Sequence, residues 1–385
     1  MAMPIGVRYT RLLLLAATLA MAGALALVQA GPEARASARQ PNPDSLVGNQ
    51  ITTDCGNGIE AIAVSLPPGF NPLTATDAEL IANDLPIRPT ASSDVATWRR
   101  FVTGGVKSEP ASCAFVRGDA GGPVAALPGG AGNAPVSAAP AARELAASNW
   151  AGDLVTRHTY HDAYGYWHVP NVGAHRPPRG LRPRVGWSSE WVGIGLGSSD
   201  RLPLAQAGSE ADVTASRSSY HLWWQVYPNV RFQHYVGRTA VHPGDLIYAH
   251  VHLSRNNAVM EIKDLRTGFG GTFRFIPRRG SSIAANGTAE WILERTERVV
   301  PGPAVYPALA EATTTFTTAE AAAPGVSRRG VGSLPRAAII MLTCARPHER
   351  LAVPGRIAAD HTSFTILWKS WGHTDKAGCS PVWVP

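Results

Sequence analysis

No pair among the four cysteines has the tight spacing of a zinc ribbon or a redox motif, which removes both chemistries from consideration. No block of five or six like charges occurs either. The formal charge of +7 is spread along the chain: from Asn149 onward 25 Lys and Arg oppose 17 Asp and Glu, and 22 of the 25 are Arg. That composition describes a basic surface without a nucleic-acid-binding tract. After residue 30 no apolar run is long enough to cross a bilayer. Neither the G-x-S-x-G nucleophile elbow nor the H-E-x-x-H zinc motif is present, and there is no internal repeat.

What is present begins with a leader. Arg8 and Arg11 precede an apolar run from Leu12 to Val28, and Val28-Gln29-Ala30 is a small-residue cleavage site before Gly31. Residues 1–30 therefore read as a secretory signal peptide and the protein as extracellular. The run is also just long enough for a membrane anchor, but no charged cytoplasmic flank follows it. Export permits disulfides. Cys55 with Cys113 and Cys344 with Cys379 are the sequence-local pairs; three pairings are possible, and a bridge between segments in separate domains is the least expected.

Residues 31–117 form a small module. DAELIANDL (Asp77 to Leu85) and DVATWRRFV (Asp94 to Val102) carry apolar residues at helical spacing behind acidic starts. Residues 118–147 are rich in Ala, Gly and Pro and read as a linker. A secreted module, a cleavable linker and a large domain are the order of a propeptide and mature enzyme. An inhibitory module that lies over the cleft until the linker is cut is the corresponding expectation; a permanent accessory domain is the alternative.

From Asn149 the pattern changes to strands. LIYAHVHL alternates Ile247, Ala249, Val251 and Leu253 against Tyr248, His250 and His252, and YHLWWQVYP alternates Leu222, Trp224 and Val226 against His221, Trp223 and Gln225. MEIKDLRTGFGGTFRF (Met260 to Phe275) reads as two strands and a turn, and SFTILWKS (Ser363 to Ser370) as another strand. Many short strands with Gly, Pro and Asn turns predict an all-β antiparallel sandwich or barrel over residues 148–385.

AEWILE (Ala289 to Glu294) places Glu290 and Glu294 on one strand face. Paired carboxylates suggest a glycosidase, but four residues at about 3.3 Å each separate them by roughly 13 Å, whereas glycosidase pairs sit about 5 to 9.5 Å apart. Glu290 then reads as a solvated strand residue. His250 with His252, and His158 with His161, invite a metal reading, although exposed histidines on a strand and a loop are the plainer one. GIGLGSS (Gly193 to Ser199) resembles a phosphate loop only superficially, since no helix pattern follows.

An ordered set of motifs then carries a resemblance. SNWAG (Ser148 to Gly152), WHVP (Trp167 to Pro170), EWVGIG (Glu190 to Gly195), LAQAG (Leu204 to Gly208), WWQVYP (Trp223 to Pro228), PGD (Pro243 to Asp245), DLRTG (Asp264 to Gly268) and AEWILE resemble the glutamic peptidases of the G1 or eqolisin type. The resemblance implies a two-sheet antiparallel β-sandwich, similar to concanavalin-like lectins. It implies a secreted acid endopeptidase, made as a zymogen, whose catalytic pair is Gln206 and Glu294, with Trp191, Trp223 and Gln225 contacting substrate. Glu294 acts as general base and then general acid on a water that attacks the peptide carbonyl, and Gln206 stabilises the oxyanion. Unfolded proteins or peptides are the substrates; no cofactor, metal or nucleic acid is called for, no membrane is involved once the leader is gone, and a monomer suffices. A non-catalytic lectin-like or peptide-binding sandwich, with Trp191 and Trp223 as a stacking platform, is the alternative.

Three positions depart from the pattern. Gln225 and Gly195 stand where fungal members carry acids, and Arg295 replaces the acid that usually follows the catalytic glutamate. With fewer carboxylates nearby, like-charge repulsion raises the pKa of Glu294 less. The expectation is a pH optimum above that of strongly acidophilic relatives.

Overall fold

The computed structural model describes residues 50–105, 112–117, 143–181, 184–196, 202–237, 241–278, 283, 287–298 and 304–379. The leader and residues 118–142 of the linker lie outside the described residues. The strands in chain order are β1 (Gln50–Gly56), β2 (Ile59–Val64), β3 (Phe115–Arg117), β4 (Arg143–Ala147), β5 (Trp150–Val155), β6 (Asp162–His168), β7 (Val185–Ile194) and β8 (Leu204–Thr214). They continue with β9 (Ser218–Tyr227), β10 (His234–Val236), β11 (Leu246–Leu253), β12 (Ala258–Asp264), β13 (Gly270–Phe275), β14 (Ala289–Glu294), β15 (Val305–Tyr306) and β16 (Ala308–Leu309). The last are β17 (Thr314–Ala323), β18 (Val326–Gly330), β19 (Arg336–Leu342), β20 (Arg350–Pro354), β21 (Phe364–Trp368) and β22 (Asp375–Lys376).

They form two layers. The front sheet runs β3-β10-β9-β8-β7-β14-β5-β19, then β4 and β20 beside β19, then β21 and the first residues of β17. The back sheet runs β1-β2-β13-β12-β11-β6, then the remainder of β17 and β18. Nearly every pairing is antiparallel, as the alternation predicts. Ile247, Ala249 and Val251 from β11 and Met260 and Ile262 from β12 bury against Val192, Ile194, Ala205, Leu222, Trp224 and Val226 of the front sheet. The DLRTG turn is held by Asp264, whose Oδ1 accepts from the Arg266 backbone N–H at 2.8 Å and whose Oδ2 accepts from Thr267 Oγ1 at 2.6 Å.

The module is not helical alone. Two short helices, α1 (Asp77–Ala82) and α2 (Val95–Arg100), do form at the predicted places, α1 behind a Thr76/Glu79 capping box. The β1–β2 hairpin precedes them and adds two strands to the back sheet. Leu80, Ile87, Trp98, Phe101 and Val102 pack on Tyr164, Tyr166, Leu246 and Tyr248, on the outer face of the back sheet. Polar contacts seal the seam: Lys263 Nζ donates to Asp84 Oδ1 at 2.9 Å, Tyr166 Oη to the Ile87 carbonyl at 2.5 Å, and His168 meets Asp94 at 3.1 Å. The expectation that this segment lies over the cleft is not met by residues 50–105, because AEWILE belongs to the other sheet. The module's Leu80, Ile87 and Trp98 are drawn instead to the tyrosine-rich outer face of β6 and β11.

Both disulfides join the local pairs, Cys55–Cys113 inside the module and Cys344–Cys379 near the C-terminus. Among the described residues no helix is long and apolar enough to cross a membrane.

Candidate active site

Cross-strand register brings the motifs to one face. On the outer side of the front sheet, Gln225 of β9, Gln206 of β8, Gly193 of β7 and Glu290 of β14 form one row. The next row holds Trp223, Gly208, Trp191 and Ile292, and the one after it Glu210, Ser189, Glu294 and Trp150. Odd residues of β7 and even residues of β8 and β14 share this face because the side-chain period of a strand is two.

Glu294 is fully buried at the end of β14. Trp191 Nε1 donates to its Oε2 at 2.9 Å and Asn149 Nδ2 to its Oε1 at 3.4 Å. The Trp150 ring stands edge-on to Trp191, with centroids 4.8 Å apart. Burial pushes the Glu294 carboxyl up to about 8; Trp191, Trp150 and Asn149 pull the other way, and Glu297 adds a small upward push. The upward shift therefore comes from desolvation first, so losing the acids at Gly195 and Gln225 leaves it in place.

Gln206 is also buried. Its Nε2 donates to Gln225 Oε1 at 2.8 Å, and Gln225 Nε2 donates to the Arg231 carbonyl at 2.8 Å. That last acceptor fixes the orientation of both amides: Gln225 must give its NH2 to Arg231, so its oxygen faces Gln206 and requires an N–H there. Gln206 keeps one N–H uncommitted, and its Oε1 has no partner among the described residues. An amide in this state can donate to one oxygen and accept from another.

Gln206 and Glu294 share a face without touching. Their rows are four residues apart on β7, about 13 Å along the strand at roughly 3.3 Å per residue, and Trp191 fills the row between them. Gly208 and Gly193 make room for that indole: a Cβ at Gly208 would meet Trp191 Cβ at 2.6 Å, and one at Gly193 would meet the Trp191 ring at 2.8 Å. Trp223 donates from Nε1 to Ser189 Oγ at 2.9 Å. Trp191 and Trp223 are both fully buried and lie outside the core between the sheets, so neither offers an open ring face for stacking.

Two sequence readings are corrected. Glu290 is not solvated: it is fully buried between Gly193 and Leu154, neither carboxyl oxygen has a hydrogen-bond partner among the described residues, and burial pushes its carboxyl well above the usual range. His250 is not exposed. It is stacked on Tyr164 and bonded through Nε2 to Asp162 Oδ1 at 2.8 Å, while His252 Nδ1 reaches the same oxygen at 2.9 Å. Burial alone would lower His250, but Asp162 and Glu261 outweigh it and raise it to about 9. These imidazoles serve a carboxylate. The one cluster of metal-type donors among the described residues is Cys344, Asp375 and Cys379, whose sulfurs are already bonded to each other.

Asn149, Trp150 and Asp375 were not singled out from sequence. Asn149 had a signal, as a polar residue inside SNWAG beside a tryptophan. Asp375 had none, since its partner Arg295 is far away in the chain.

Among solved structures, the chain is similar to scytalido-glutamic peptidase bound to a peptide-based transition-state analogue (18% identity, TM-score 0.45, covering 58% of this chain and 98% of that one). It is also similar to SCP-B of the eqolisin family (16%, TM-score 0.43, 58% and 98%) and to aspergilloglutamic peptidase from Aspergillus niger (24%, TM-score 0.38, 48% and 99%). No curated protein matches the sequence. The Peptidase A4 family matches residues 148–343, half of the chain, a span that contains Gln206, Glu294 and both buried tryptophans. With that match over the sandwich and its site, the chain belongs to the peptidase A4 family, the glutamic endopeptidases of the G1 type.

Proposed function

We propose that this chain is exported and cuts unfolded proteins or peptides through Glu294 and Gln206, without an acyl-enzyme. The observation that carries the reading is the buried Glu294 carboxyl held between the Trp191 and Asn149 donors. A carboxylate raised toward 8 is a stronger base than an ordinary glutamate, and the share of it that is ionised grows as pH climbs. Water and the peptide bond to be cut lie between the Glu294 carboxyl and the Gln206 amide. Glu294 takes the proton from water, Gln206 donates its uncommitted N–H to the oxygen that becomes negative, and Glu294 returns the proton to the leaving amine. The two disulfides and the leader sequence support export. The raised base sets the direction of the pH dependence: activity grows as pH climbs toward 8, above the range of an ordinary acid peptidase.

The test compares wild type with Glu294→Gln, at equal folded content, on an unfolded protein between pH 2 and 8. Cleavage by wild type alone, untouched by chelators, supports the reading. Equal cleavage by both sinks it.

A further inference from the structure

We infer that Arg295 and the C-terminal segment stapled by Cys344–Cys379 position the base, acting on Glu294 through Asn149; the inference rests on the reading of Glu294 just given. Arg295 directly follows Glu294, yet its side chain is completely buried. Each of its four nitrogens has an acceptor. The backbone N–H donates to the Asn149 carbonyl at 2.9 Å, Nε to the Ser148 carbonyl at 2.7 Å, Nη1 to the His373 carbonyl at 3.1 Å and Nη2 to Asp375 Oδ2 at 2.5 Å. A guanidinium out of water is held by a paired charge and by hydrogen bonds, and this one has the Asp375 carboxylate and an acceptor at every guanidinium nitrogen.

The segment it grips is tied down from the other side. Asp375 Oδ2 also accepts from the Cys344 N–H at 3.3 Å, Cys379 is bonded to Cys344, and the Cys379 carbonyl accepts from Ser148 Oγ at 2.8 Å. Ser148 and Asn149 are thus clamped between Arg295 and the disulfide loop. Asn149 has a single described side-chain contact, the 3.4 Å bond to Glu294. Two backbone carbonyls at one corner therefore fix where a donor to the base points. Asp375 and Cys379 lie beyond residue 343, where the family match ends, so this brace belongs to the chain's own C-terminal segment.

An N–H donor favours the ionised carboxylate. Loosening Asn149 should move the Glu294 titration upward by about half a unit and lower kcat, by up to about 100-fold for a misplacement near 1 Å, with KM little changed. The experiment follows Glu294 by carboxyl 13C NMR in full-length protein, the signal being identified by its loss in Glu294→Gln. Arg295→Lys and Asn149→Ala should each raise the titration, and Arg295→Lys should add nothing in the Asn149→Ala background. Should Arg295→Lys not fold, Arg295→Gln combined with Asp375→Asn removes both charges together and makes the same comparison. An unchanged titration in Arg295→Lys, no response to Asn149→Ala, or an equal shift with Asn149 already gone would each overturn the inference. Cleavage of reduced, carboxymethylated, dye-labelled serum albumin is measured alongside. Full activity in Glu294→Gln would sink the proposed chemistry while leaving the NMR test of the brace intact.

Discussion

Glu190 gives the sharpest test of how this sandwich treats buried acids. It points into the space between the sheets, where Ser209 Oγ donates to its Oε2 at 3.0 Å and Trp167 Nε1 donates to that same hydroxyl at 2.9 Å. Its Oε1 has no hydrogen-bond partner among the described residues. Burial pushes the carboxyl up to about 8 from an ordinary 4.5, with the Ser209 bond offsetting only part. The sign follows from linkage: a group whose folded pKa is raised adds stability that is fully present below the unfolded value and lost as pH rises toward the folded one. Below 4.5 both states are protonated and nothing is lost. Between 4.5 and 8 only the unfolded chain ionises, at about 1.4 kcal/mol per pH unit, so about 3 kcal/mol has gone by pH 7. Glu190→Gln copies the protonated shape without titrating. Denaturant unfolding should show the variant within about 1 kcal/mol of wild type at pH 4 and about 3 kcal/mol more stable, relative to wild type, at pH 7. An equal difference at both pH values would refute the argument, because it would mean that Glu190 is ionised or hydrated in the fold.

The remaining expectations concern the site and the module. The pH profile of kcat/KM should climb toward pH 8 as Glu294 ionises; a peak below pH 3 would contradict a base raised by burial. Trp191→Phe removes the 2.9 Å donor, so the same limb should move up by about one unit, read from the pH profile or by NMR. Gly208→Ala should destabilise by about 3 kcal/mol or more in thermal unfolding, because its Cβ would lie 2.3 Å from the Glu190 carbonyl oxygen and 2.6 Å from Trp191 Cβ. A cut placed within residues 118–142 should leave the N-terminal module comigrating with the sandwich in gel filtration, held by the seam around Tyr166 and Lys263; separation at pH 5 would show that seam to be weak.

Legibility followed locality. Alternation in β9 and β11 gave the buried faces because each strand carries its own period-two pattern. The β1–β2 hairpin was legible in principle: Asn57 and Gly58 both have positive φ, 54° and 76°, and Asn-Gly between alternating residues is a strong short-range hairpin signal. The helical spacing downstream obscured it. Glu290 and His250 misled because burial of one strand residue depends on what other strands bring, and Leu154 and Asp162 are remote in sequence from the residues they cover. The glutamine and glutamate of the candidate site come from the motifs, since alternation could place them on faces but not in rows on either side of Trp191. Arg295 and Asp375 meet only after the sandwich has closed.

One strand belongs to both layers. Thr314 to Phe316 of β17 pair with β21 in the front sheet, and from Thr317 onward the same strand pairs with β6 in the back sheet, turning at Thr318 with φ 52°. A backbone shared this way is a mechanical weld: neither layer can open by sliding without breaking a ladder in the other. Amide hydrogens in β6 and β21 should therefore exchange with a common opening free energy, and the sandwich should unfold as a single cooperative unit instead of peeling sheet from sheet.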